Sequence, residues 1–423
     1  MSKEIKTKNI IFYSVFGLIT VLLLDLFFKP EININMDFIG NGLKKVTSSQ
    51  NIAPQRLFIN AWRIAKNSYI DETLNNQDWM RWRTRYVKHI KTMEDANVAI
   101  NSMLASLNDP YTKFLQSELF SKQKMILDSK ITGVGVLFNK AGDEVVVNHV
   151  LDNSSAQEEN IMPGDTIVEI NGTKTSELEI EDIVKTMESG EKGTVEIKIK
   201  RNNEIINKTL KRTDIPIETM ECKIVDNIGL ITLSNTMGDN AVEEFKQILI
   251  DTNDTKGLII DLRNNYGGIL ANAVQMVNFM LSEDETIFSI NSRAKANFQI
   301  YADKEKVFKD KPVIVLINNL TASAAEIMAG TLKDNLNAVL VGEHSFGKNS
   351  IQQVIPLQNA TGLILTTDKY ILPNGQDINK KGIVPDIEMK QKIAFSIEKD
   401  NQIQKAIEII NSVVENKEDD DII

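Results

Sequence analysis

Ser323 follows an apolar run, Val313 to Ile317, and a polar turn, Asn318 to Ala322, and it opens a stretch of small and apolar residues, Ala324 to Ala329. This order predicts a serine at a helix N-terminus, where free N–H groups and the helix dipole favour developing negative charge. Small neighbours leave room for a peptide. The Ser323-x-x-Glu326 spacing is equally that of a capping box, a common way to start a helix, and Thr321 can take the cap instead. Lys348 lies beside Gly347 and ahead of an apolar stretch, Ile351 to Leu357. If that stretch is extended, Lys348, Ser350 and Gln352 point to one face. A lysine drawn into a closed site loses solvation, so its pKa falls and the neutral amine can take a serine proton. Gln352 can hold that amine in place. The default for a lone lysine is a surface turn.

Other nucleophile systems are poorly served. The three histidines are His89, His149 and His344. His89 lies in a helical region and His149 at a strand end, and neither has a Ser- or Cys-rich turn beside it. No His/Cys cluster suggests a metal, and neither a Gly-x-Ser-x-Gly elbow nor a Walker lysine loop is present. A third segment, Asp261-Leu262-Arg263-Asn264-Asn265-Tyr266-Gly267-Gly268, reads as a buried strand ending in a Gly-Gly turn. Glycines there allow close backbone approach and present N–H groups to an anion.

The elements that must position these residues are α/β in character. Ile228 to Leu233 and Ala338 to Val341 read as strands, and Gly257 to Leu262 and Pro312 to Ile317 are the near-continuous apolar runs expected of buried parallel strands. Helices are expected over Val242 to Ile250 and from about Leu270 and Ser323. Residues 119–213 differ. Short strands at Val145 to Val147, Thr166 to Ile170 and Thr194 to Lys200 are separated by turns at Pro163-Gly164-Asp165, Asn171-Gly172 and Asn202-Asn203. One amphipathic helix runs through Ile180, Ile183, Val184 and Met187. Together they predict a small barrel. Residues 54–118 read as helical, with Leu57, Ala61, Ile64 and Ala65 on one stripe and a stop at Asn108-Asp109-Pro110. Trp62, Trp79 and Trp82 are read as packing between these helices.

Composition bounds the answer. The 423 residues allow two or three folded units, and 42% hydrophobic and 25% charged residues permit large cores. A net charge of −10 argues against nucleic acid. The one cysteine, Cys222, cannot make an internal disulfide. Ile10 to Phe28 is apolar except for Asp25 and follows Lys3, Lys6 and Lys8. That predicts a single N-terminal membrane span or signal over residues 1–30, with residues 31–53 as linker and the rest in the periplasm or another extracytoplasmic space, anchored to the inner membrane. The tail from 396 reads as a C-terminal helix with an acidic, solvated end.

The three segments, in this order, resemble the carboxyl-terminal processing (tail-specific) serine proteases. Ser323 stands in Ser-Ala-Ala-Glu, Lys348 follows 25 positions later in Phe-Gly-Lys, and Gln352 four after that. Asp109-Pro110-Tyr111-Thr112, Pro373-Asn374-Gly375 and Gly382-Ile383-x-Pro385-Asp386 match as well. Two positions depart: Tyr266, where the family usually has proline, and Asn349, where it commonly has glycine. The resemblance implies a crotonase/Clp-like α/β catalytic core over 214–395 and a PDZ domain over 119–213. It implies Ser323 as nucleophile, Lys348 as base, Gln352 orienting it, and an oxyanion site from the N–H groups of Ala324 and of Gly267 or Gly268. Gly133, Val134, Gly135 and Val136 would bind the carboxylate of a substrate tail. No metal or cofactor is expected. The expected partners are proteins with accessible C-terminal tails, and a homo-oligomer is compatible with the sequence. The rival readings are a non-catalytic tail-binding scaffold on the same fold and a crotonase-like acyl-CoA enzyme.

Overall fold

The computed structural model describes residues 53–121, 130–141, 144–151, 153–188, 193–202, 204–216, 219–238, 240–293, 297–392 and 396–420. In chain order the elements begin with helices α1 (Pro54–Ser68), α2 (Met80–Tyr86) and α3 (Met93–Ala105) and strand β1 (Lys113–Leu115). A β-rich unit follows: β2 (Lys130–Gly133), β3 (Val136–Ala141), β4 (Glu144–Val150), α4 (Ser155–Glu158), β5 (Thr166–Ile170), β6 (Thr173–Lys174), α5 (Ile180–Met187), β7 (Gly193–Arg201) and β8 (Glu204–Pro216). The α/β part comprises β9 (Met220–Val225), β10 (Ile228–Leu233), α6 (Ala241–Asp251), β11 (Gly257–Asp261), α7 (Leu270–Asn278), β12 (Thr286–Ser292), β13 (Phe298–Tyr301), β14 (Val313–Ile317), α8 (Ala324–Leu336), β15 (Val339–Gly342), β16 (Ser350–Pro356), β17 (Gly362–Ile371), β18 (Ile387–Glu388) and α9 (Asn401–Asp420).

The chain divides into two compact units, with Ser129–Ile217 apart from the segments on either side of it. In the larger unit one sheet has the order β18-β15-β14-β11-β10-β9, parallel except for the β9–β10 edge. Its strands read as unbroken apolar runs because both faces are covered. Ile231, Leu258, Ile260, Val313 and Val315 face a core shared with α6, α7 and α8. Leu230, Ile259, Ile314, Leu316 and Val341 face Ile403, Ala406, Ile407 and Ile410 of α9. A buried ion network fixes that second layer: Arg263 bonds Asp261 at 2.6 Å and Asp400 at 2.9 Å. A second sheet, β1-β17-β12-β13 with β16 on β17, carries the N-terminal helices through Leu363 and Leu365. Trp62 and Trp79 are buried there, each indole N–H donating to the other's backbone carbonyl at 2.9 and 3.1 Å.

The smaller unit is an antiparallel sheet, β2-β8-β7-β5-β4-β3, closed over one apolar core by α5 through Ile183 and Met187.

Two expectations are corrected. The described fold is the α/β core, the β-rich unit and the N-terminal helices, and the expected single membrane span is not among them: among the described residues no helix is long and apolar enough to cross a membrane. The stretch expected to do so, Ile10 to Phe28, and the linker after it lie outside the described residues. The N-terminal region is also not helical throughout. Beyond Pro110 the chain cannot continue a helix, and Lys113–Leu115 joins the sheet edge as β1, antiparallel to β17.

Candidate active site

Ser323 occupies the turn between β14 and α8 with φ 57 and ψ −119. A non-glycine residue there lies outside the ordinary wells, a strain found where a strand-to-helix turn lifts one side chain out. The turn is held from several sides. Thr321 Oγ donates to Leu262 O at 2.8 Å and accepts from Asn318 N at 2.9 Å, so its hydroxyl does not cap the helix. Ala322 N donates to Asn265 O at 2.9 Å. The Ser323 N–H donates to the Glu326 carboxylate at 2.8 Å.

Glu326 is fully buried. One carboxylate oxygen accepts from Ser345 Oγ at 2.5 Å and Gly347 N at 2.6 Å, the other from Ser323 N and from Lys348 N at 2.9 Å. Burial pushes its pKa up, and the four donors pull it back. The Ser-x-x-Glu pattern, legible as a cap, thus also ties the serine turn to the lysine segment. Tyr370 of β17 adds a second tie, its buried hydroxyl donating to Lys348 O at 2.8 Å and lying 3.3 Å from Ser323 O.

Lys348 is 2% exposed. Its Nζ donates to Gln352 Oε1 at 2.7 Å and to Ser350 O at 3.0 Å, and lies 4.9 Å from the Tyr111 ring centre. Burial holds its pKa well below the usual lysine value, against the opposing pull of Glu326 and Asp109. A register shift between Ile351 and Gln352 sets Gln352 directly opposite Thr366 on β17. Such bulges re-aim side chains beside active sites. His344 is exposed in the same loop.

The Gly-Gly turn meets the serine turn. Gly267 has φ +98, and a Cβ there would lie 2.9 Å from Ala322 O, 3.0 Å from Ala324 N and 3.1 Å from Ser323 Cβ. Its own N–H is engaged, donating to Asn265 Oδ1 at 2.8 Å. Among the described residues, the N–H groups of Gly268 and Ala324 have no protein acceptor, which leaves them for a ligand oxygen. The segment expected to bind a substrate tail, Gly133 to Val136, belongs to the other unit. There the Val134 N–H donates to Met187 O at the end of α5 at 3.1 Å. The slot lined by Gly133, Val134, Gly135, Val136, Met187 and Glu188 is closed, with no room for a water-sized molecule.

Sequence reasoning missed Tyr370 and Thr366. Both sit on β17 with no local cue, and only the β16–β17 pairing brings them to the lysine.

Comparison with known proteins gives this arrangement its class. Residues 227–389 match the family model for peptidase family S41, and residues 125–200 match that for the PDZ domain. A carboxyl-terminal-processing protease of Synechocystis sp. is 31% identical over 376 residues, covering 85% of this chain and 87% of its own. One from Picosynechococcus sp. is 32% identical over 371 residues, covering 84% and 89%. Among solved structures, a photosystem II D1 C-terminal processing protease superposes with a TM-score of 0.56 at 28% identity, covering 80% of this chain and 94% of that one. The chain is a serine-type peptidase. It belongs to the carboxyl-terminal-processing proteases of peptidase family S41 and carries a PDZ domain. That membership sets aside the acyl-CoA and scaffold readings.

Proposed function

We propose that this peptidase cleaves proteins near their C-termini with Ser323 as nucleophile and Lys348 as general base. The observation that carries the reading is the state of Lys348. It is buried, its pKa is held low by desolvation, and it is bonded to two acceptors on a segment that Glu326 ties to the serine turn. A neutral amine has two protons and one lone pair. Gln352 Oε1 and Ser350 O use the protons, and the lone pair takes the Ser323 proton as Oγ attacks the scissile carbonyl. The N–H groups of Ala324 and of the Gly267–Gly268 turn receive the oxyanion, with Gly268 better placed because the Gly267 N–H is already engaged. The protonated amine then passes its proton to the leaving nitrogen, and water resolves the acyl-enzyme. The PDZ domain selects the tail, whose carboxylate takes N–H groups of Gly133 to Val136.

The test is cleavage of a model protein with an apolar tail, read by intact mass. Ser323→Ala and Lys348→Ala should each remove nearly all activity, with the double variant scarcely worse, because residues acting as a unit lose function non-additively. Lys348→Arg should fail because a guanidinium stays charged. Cleavage by Ser323→Ala would overturn the reading.

A further inference from the structure

Asp109 lies in the loop between α3 and β1, far in sequence from both the serine and the lysine. One carboxylate oxygen accepts from Thr366 Oγ1 and from Thr112 Oγ1, each at 2.7 Å, and the other accepts from Tyr111 N at 3.0 Å. Thr112 Oγ1 in turn receives the Thr366 N–H at 3.2 Å. Thr366 is buried, and Gln352 Nε2 donates to its hydroxyl oxygen at 3.1 Å. The chain of bonds therefore runs Asp109, Thr366, Gln352, Lys348.

We propose that Asp109, acting through Thr366, is a positioning residue that sets the direction of the Gln352 amide and so keeps the Lys348 lone pair for Ser323. The proposal rests on the Ser323–Lys348 reading above.

A carboxylate accepts and does not donate. The single Thr366 hydroxyl proton therefore goes to Asp109, and its oxygen can only accept. Gln352 must offer its NH2 group there, and the second amide proton goes to Ser350 Oγ at 2.9 Å. Oε1 is then the end that faces Lys348 Nζ at 2.7 Å. A flipped amide would present N–H to the lysine instead. Against a neutral amine that N–H would find the lone pair and hold it, which removes the base without moving a heavy atom. Amide oxygen and nitrogen are nearly the same size, so packing alone cannot choose between the two orientations. The carboxylate two bonds away makes the choice.

The test uses the full chain on a peptide substrate, with kcat and KM measured separately for Asp109→Asn, Thr366→Val, Thr366→Ser and Lys348→Ala. Thr366→Val keeps the shape and loses the acceptor. Asp109→Asn brings a donor that frees the Thr366 proton. Both should lower kcat by about 10- to 100-fold, a substantial part of what a general base supplies, with KM changed little. Thr366→Ser, which keeps the hydroxyl, should retain most of kcat. Asp109→Asn also removes a negative charge that supports the protonated amine, so the acid limb of its pH–kcat profile should move to lower pH. The other groups facing the lysine, Glu326 of α8, Tyr111 beside Asp109 and Tyr370 of β17, are unchanged by it. If the buried Thr366→Val does not fold, the half-exposed Asp109→Asn decides alone. Wild-type kcat in Asp109→Asn, with Lys348→Ala inactive, overturns the positioning role and leaves the base intact. Activity in Lys348→Ala overturns both.

Discussion

The backbone N–H of Lys348 donates to the carboxylate of Glu326 at 2.9 Å. Glu326 sits three residues after Ser323 in the first turn of α8, and the same oxygen accepts the Ser323 N–H at 2.8 Å. One buried group therefore sets both the serine turn and the lysine segment. A carboxylate suits this place because it has only acceptors to offer to four donors.

Glu326→Gln replaces one oxygen with an NH2 group that must face two donors, the Ser323 and Lys348 N–H groups at one end or the Ser345 hydroxyl and the Gly347 N–H at the other. Two charge-assisted bonds are lost and a donor is buried against donors. The expected cost is about 2–4 kcal/mol of stability, read as a lower urea midpoint. A fall in kcat of at least about tenfold should accompany it, since small misplacements of reacting groups are costly. Unchanged midpoint and unchanged kcat would show that the carboxylate only caps the helix.

The parts of this site that could be read from the chain are those written in short segments. Ser323, Lys348 and Gln352 each stand in a strand-turn context that the apolar runs reveal, and β10 (Ile228–Leu233) and β14 (Val313–Ile317) have the bounds their composition suggests. Glu326 was visible only as a cap partner, because its other donors, Ser345, Gly347 and Lys348, come from a loop about twenty residues on. Asp109 was visible as part of Asp-Pro-Tyr-Thr, but its link to Gln352 passes through Thr366, 257 residues away. β1 was hidden for a similar reason: three residues after a proline carry no period, and only their pairing with β17 makes them a strand.

Lys348 should give the enzyme an acid limb in its pH–rate profile. Desolvation holds its pKa well below the ordinary lysine value, so kcat should rise with pH as the amine becomes neutral and then level off before the range of exposed lysines. The same shift bears on stability. Between the depressed folded value and about 10.4, the unfolded chain holds more protons than the folded one, so stability rises with pH across that window. Below the folded value this contribution is flat. Unfolding measured for wild type and Lys348→Met across the alkaline range should show wild type gaining on the variant by up to about 1.4 kcal/mol per pH unit. Parallel curves would mean that the lysine titrates normally.

Gly267 tests the oxyanion turn. An alanine there must adopt φ +98 and set its methyl 3.0 Å from the Ala324 nitrogen and 2.9 Å from Ala322 O. The methyl would crowd the N–H proposed to meet the oxyanion. Gly267→Ala should lower kcat by about 10²- to 10³-fold, as loss of one such donor does, while KM moves little. An equal rise in KM with kcat preserved would place the turn in substrate binding instead.

The PDZ domain supplies the last prediction. Its slot between the Gly133–Val136 segment and the end of α5 is closed, and the Val134 N–H already donates to Met187 O. A tail carboxylate is a stronger acceptor than a peptide carbonyl, so it can displace Met187 O, but only if the last turn of α5 draws back. A peptide with a free C-terminus should therefore bind at least about tenfold more tightly than its amide, the difference of one charge-assisted bond. Gly135→Glu should weaken both binding and cleavage of tailed substrates. Gly135 has φ +84, and a Cβ there would fall 2.1 Å from Ser154 Cβ, so any side chain must distort the loop. Because that distortion alone lowers binding, the free-acid and amide pair on the wild-type chain is the deciding measurement, made by fluorescence anisotropy. Equal affinity for the two peptides would mean that the Gly133–Val136 segment does not hold a carboxylate, whatever Gly135→Glu does.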